Sequence, residues 1–153
     1  MNFTIRHVHL RMTLNQALST NDMRYIIGWC IAALASVPVV RANTQALKPE
    51  ADLVNEILRR CRRVPAWLEV VNDPHALPDI PEEHRELHDS LMKALLDQDV
   101  DRLRGLCLSV LSRLYNPDHP LTAPDPVRAA RVNYILRLAR QSQDQLKALT
   151  TEN

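Results

Sequence analysis

The chain has 153 residues, enough to bury a core without disulfides or a structural metal, and one domain spanning 1–153 is the expectation. Apolar residues make up 46% and charged residues 24%, with a net charge of +1, which excludes a disordered polyelectrolyte; no low-complexity or repeat-period segment is read in the chain. The two glycines, Gly28 and Gly105, stand in apolar stretches, so a phosphate-cradling loop, a dinucleotide fingerprint or a nucleophile elbow has no glycine at the sharp turn it needs.

Residues 3 to 12 contain a strict alternation, with Val8, Leu10 and Met12 on one face and His7, His9 and Arg11 on the other, which predicts a strand. Thr13 and Gln16 have the spacing of a capping box and predict a short helix, ended by Ser19, Thr20, Asn21 and Asp22. A second helix is expected from about residue 22 to Ser36. The stretch from Tyr25 to Val40 is the most apolar in the chain, but it is shorter than the ~20 residues of a membrane span, and Pro38 stops it. A secretory leader cleaved near Ala42 would need a shorter, acid-free start than one containing Asp22. A buried core helix is therefore expected, without a membrane partner. Gly28, Ala32 and Ser36 recur every four residues, a spacing that lets another helix approach closely. Val37, Val39 and Val40 suggest a second strand; without it, the first would need a partner subunit.

The next helix, 49 to 63, carries Glu50 and Asp52 in its first turn and Arg59, Arg60, Arg62 and Arg63 in its last, matched to its dipole at both ends. A short helix over 66 to 71 carries Trp67, and 72 to 80 reads as a linker. A helix from 81 to 97 buries Leu87, Leu91, Ala94 and Leu95. Another, from 99 to 115, returns against it as an antiparallel hairpin. Asp125 caps and Pro126 starts the last helix, expected to run to about Ala148. That helix has two apolar stripes, Val127, Ala130, Tyr134 and Leu138 on one side and Ala129, Val132 and Leu136 on the other. It is expected between layers or at a subunit interface. The fold class is thus mainly α: a compact bundle of five to seven helices with a short N-terminal β-strand or two-stranded ribbon. A subdivision into 1–42 and 43–150 is possible.

Chemistry is thinly marked. His84 and His88, one helical turn apart, are weak metal-ligand candidates beside Glu82, Glu83 and Glu86, but their order is not that of a zinc protease and no second ligand cluster follows. Cys30, Cys61 and Cys107 fall on apolar stripes, far apart in sequence, which suits a reducing cytoplasm and neither a disulfide framework nor a catalytic thiol. No cofactor is expected. Charge is more informative: residues 73 to 101 carry a net −7 between basic segments of +4 at 1–48 and +4 at 102–153. Pairing of the acidic helix with arginine-rich helices inside the bundle would account for this.

Three functions are compatible with the sequence. The leading one is a non-enzymatic protein-interaction module (an adaptor, chaperone or inhibitor) that self-associates, with a homodimer expected, and meets a protein partner through Arg59, Arg60, Arg62 and Arg63, Glu82, Glu83 and Glu86, or Trp67, with Trp29 and Tyr115 as further anchors. The alternative is a DNA-binding regulator whose N-terminal ribbon presents Arg6, His7, His9 and Arg11 to a major groove. A metal-dependent helical enzyme is third.

Overall fold

In the computed structural model six α-helices follow one another: α1 (Arg6–Ser19), α2 (Met23–Ala35), α3 (Lys48–Arg62), α4 (Glu82–Leu96), α5 (Val100–Leu114) and α6 (Pro126–Gln141). The structure describes residues 6–19, 23–40, 48–64, 80–121 and 125–141, except the side chains of 6–9 and of Glu50. Trp67, the short helix expected around it, nearly all of the linker and everything past residue 141 lie outside the described residues.

The helices form two layers of three. α2 packs between α1 and α3, α5 packs between α4 and α6, and the layers meet helix on helix as α1 on α4, α2 on α5 and α3 on α6. The two central helices therefore have neighbours on three sides. In α2 this is why an almost unbroken run, Ile26 to Ile31 with Ala33 and Leu34, is buried, as a helix apolar around most of its circumference requires. α3, at an edge, buries a single stripe of Ala51, Val54, Ile57, Leu58 and Cys61. The core is continuous across both layers and draws on α1 through α6.

Each interlayer pair is antiparallel. His84 at the start of α4 meets Leu18 at the end of α1. Arg104 in the first half of α5 reaches Pro38, just past the end of α2. Arg131 in α6 reaches Arg63, at the end of α3. A twofold axis running between the layers would produce this arrangement.

The same symmetry is written in the sequence, where it corrects the expectation that no repeat is present. Shifting the chain by 77 residues superposes His7 on His84, Leu14 on Leu91, Ala17-Leu18 on Ala94-Leu95 and Asp22 on Asp99; it also superposes Gly28 on Gly105 and Cys30 on Cys107. With one further residue of shift, Ala51-x-x-Val54-Asn55-x-Ile57-Leu58-Arg59-x-x-Arg62 matches Ala129-x-x-Val132-Asn133-x-Ile135-Leu136-Arg137-x-x-Arg140. The chain thus carries one three-helix pattern twice, and each copy forms one layer.

The N-terminal strand is tested only at its end. Of residues 3 to 12, residues 3–5 and the side chains of 6–9 lie outside the described residues; at Leu10, Arg11 and Met12 the backbone is helical. Leu10, Leu14, Ala17 and Leu18 are buried at helical spacing, whereas Met12 is 71% exposed, so here the 3.6-residue period overrides the alternation. Thr13 does not start a helix; it lies inside α1 with its hydroxyl 3.4 Å from the Leu10 carbonyl.

There is no strand among the described residues, yet residues 37 to 40 are held much as a strand would be. Arg62 donates to the Val37 carbonyl (2.8 Å) and Arg104 to that of Pro38 (2.9 Å). The Asn55 carboxamide accepts from Val40 N (2.7 Å) and donates to Val40 O (3.0 Å). The second unit repeats the device: Asn133 accepts from Leu121 N and donates to Leu121 O, both at 2.9 Å. Of the two apolar stripes expected on α6, Ala129, Val132 and Leu136 are buried, whereas in the other Val127 is 59% exposed and Ala130 is exposed, with Tyr134 half-buried and only Leu138 buried; α6 is an edge helix.

Candidate interaction edge and pocket

The α3–α6 edge collects arginines. Arg59, Arg62 and Arg63 on α3 and its C-terminal turn, and Arg131, Arg137 and Arg140 on α6, are all exposed, with Arg60 half-buried among them. Two positions, Arg59/Arg137 and Arg62/Arg140, carry arginine in both units. Glu56 pairs with Arg59 and with Arg60, the latter at 2.7 Å. Tyr134, which occupies in α6 the place Glu56 has in α3, takes Arg60 on its ring at 4.2 Å and Arg137 at 4.8 Å. Guanidinium stacking on a tyrosine face holds these cations extended over the edge instead of leaving them to sweep through solvent. One carboxylate and one ring thus organise three guanidinium groups.

The acidic helix does not neutralise them. α4 packs on α1 and α5, at the far edge of the array from α3 and α6. Glu82, Glu83 and Glu86 are exposed, and Glu82 pairs locally with Arg85 at 3.3 Å. Among the described residues α4 thus packs on neither α3 nor α6, the arginine-rich helices with which the acidic helix was expected to pair. Two charged edges remain, separated by the width of the molecule.

The histidines fasten α4 to α1. His84 Nδ1 donates to the Leu18 carbonyl (2.9 Å), while His88 sits between Asn15 (2.7 Å) and Asp89 (3.1 Å). Among the described residues no group of three or more histidine, cysteine or acidic side chains is arranged to hold a metal ion. Of the residues offered for DNA, Arg11 is half-buried in α1 with its Nε buried, and the side chains of Arg6, His7 and His9 lie outside the described residues. Trp29 is 1% exposed and its indole donates to the Leu10 carbonyl at 3.1 Å, so it is a core residue and not an anchor for a partner; Tyr115 is half-buried and packs against the core.

The three cysteines are buried and close, despite their separation in sequence. Cys107 faces its counterpart Cys30 across the α2–α5 contact with their thiols in hydrogen-bonding reach; burial, then that bond, then the neighbouring Cys30 and Cys61 push the Cys107 thiol well above its usual range. Burial, aided by Cys30 and opposed by Arg62, pushes Cys61 up to about 12. Protonated, inaccessible thiols are poor nucleophiles.

A pocket of about 440 Å³ opens where the start of α2, the end of α5 and the middle of α6 meet. Ile27, Leu114, Leu121 and Leu136 form apolar wall; Arg24, Asn116 and His119 are the polar residues at it. Asn133 also lines it, but its carboxamide is committed to Leu121. Sequence reasoning missed this site, because its residues come from three elements and the signal that relates them is the repeat. No helix of the described residues is long and apolar enough to cross a membrane. Compared with known proteins, the chain matches no family model, no curated protein and no solved structure.

Proposed function

We propose that the chain is a non-enzymatic interaction module, of the adaptor or inhibitor kind, whose α3–α6 edge docks on an acidic protein surface. The observation that carries this reading is the arginine edge itself: exposed arginines at matching positions of both units, Arg59 and Arg137 organised together with the half-buried Arg60 by Glu56 and Tyr134, with the acidic helix at the opposite edge. Arginines pre-ordered on an aromatic face lose less conformational freedom on binding carboxylates than free side chains do. The second charged edge, Glu82, Glu83 and Glu86, complements the first, and copies of the chain associate through the two in a salt-dependent way.

The test is co-purification of the untagged chain from its own cells, beside an Arg59→Glu/Arg137→Glu variant. A protein partner released by salt and lost in the variant is the expected result. Nuclease-sensitive material bound in its place, or a partner retained unchanged by the variant, would overturn the reading in favour of nucleic acid or of another surface. Sedimentation at low and high salt tests the self-association.

A further inference from the structure

The repeat gives the pocket a twin, and in the twin a buried arginine side chain stands. Met23, Arg24 and Ile27 at the start of α2 correspond to Val100, Asp101 and Arg104 at the start of α5; Asn133 and Leu136 correspond to Asn55 and Leu58. Where second-unit residues 114–121 border open space, the Arg104 side chain in the matching place reaches Pro38 of the first unit. That guanidinium is buried, with Nη1 on Asp101 (2.7 Å) and Nη2 on the Pro38 carbonyl (2.9 Å). On the open side Ile27 is too short to fill the equivalent space, and Arg24 stands where Asp101 would have balanced a cation. The loop there is also longer: the residue held by asparagine is Leu121, seven positions past the end of α5, against Val40, five past the end of α2.

We infer that the open pocket between α2, α5 and α6 binds a small amphipathic carboxylate, its apolar body against Ile27, Leu114 and Leu136 and its carboxylate toward Arg24 and His119. The volume lies in the range of roughly 300–1,000 Å³ common to small-molecule sites. The charge follows from the comparison. The twin site holds a cation against an aspartate, whereas here the aspartate position is an arginine, so the sign of the preferred guest is reversed, and a histidine at the rim adds a ring N–H donor. The apolar wall requires a body as well as a charge. This site is distinct from the arginine edge, and its occupancy neither requires nor excludes a protein partner there.

The test is calorimetric titration of the full chain with octanoate, octan-1-ol and octylamine. Saturable one-site binding of octanoate is expected, with the alcohol and the amine weaker by about tenfold or more, as the loss of one charge-assisted contact implies. Ile27→Arg with Arg24→Asp transplants the plug of the twin site and should abolish octanoate binding while leaving the helical circular dichroism intact. Should that double variant not fold, Arg24→Gln is the second measure, since Arg24 is exposed: it should weaken octanoate about tenfold and leave octanol unchanged. Absence of octanoate binding, equal binding of octylamine, or octanoate binding unaffected in a folded variant would each overturn the inference.

Discussion

Asn55 and Asn133 each set a carboxamide against the backbone of an extended residue, giving it one donor and one acceptor in the geometry of a strand ladder. Aspartate keeps the acceptor but turns a carboxylate toward a carbonyl oxygen, and alanine leaves both backbone groups half-buried without a partner. Asn55→Ala should therefore cost about 1–3 kcal/mol, with Asn55→Asp at least as damaging, read as a lower urea midpoint at unchanged slope. The thiols make a second prediction at this scale. The Cys61 pKa is raised in the folded chain from 9.0 to about 12, so the folded state holds its proton where the unfolded state has lost it. The associated stability is full below pH 9 and drains away as pH rises toward 12. Cys61→Ala should flatten part of the alkaline loss in denaturation profiles, and Cys107, raised in the same direction, adds to that loss. Alanine is tolerable there because Ala139 already occupies the matching position.

Between α4 and α5 the chain turns through Gln98, which has a φ of 52°, with Gln98 N on Leu95 O (3.2 Å) and Asp99 N on Ala94 O (2.9 Å). This is a Schellman closure with glutamine at the left-handed position, where glycine is the least strained residue; Asp99 then caps α5 through the Arg102 amide. Gln98→Gly should raise stability by about 0.5–1 kcal/mol, checked by the thermal midpoint, because relief of the left-handed penalty exceeds the added unfolded-state entropy. Helices with a proline or acid at one end and a stripe at 3.6 spacing, α3 and α5 above all, were legible in the sequence to within a residue or two. Residues 10 to 12 were not. A five-residue alternation fits inside a helical period when Leu10 and Leu14 are the positions that bury, and a local window cannot tell which residues those are. The pairing of residues 37 to 40 was illegible for a different reason, since its partners are side chains on α3 and α5 far along the chain.

At the scale of the molecule, the decisive pattern was present in the sequence but spread too thin for reading by segments: a glycine and a cysteine recurring after 77 residues and an asparagine after 78, none of them diagnostic alone. The layers they mark face each other through α2 and α5, whose buried residues include Ile31, Leu34, Leu108 and Leu111; a single unit would leave that face in water. Chains comprising residues 1–76 and 77–153 should consequently be weakly folded when separate and recombine when mixed. Both tryptophans lie in the first fragment and Trp29 is fully enclosed in the whole protein, so its emission reports the event without a label. Adding the second fragment should shift that emission to the blue, with a saturation point at one to one and a cooperative melt restored. A first fragment that already melts cooperatively as a monomer, with no response to the second, would mean that each layer carries its own core and that the interface between them is incidental to folding.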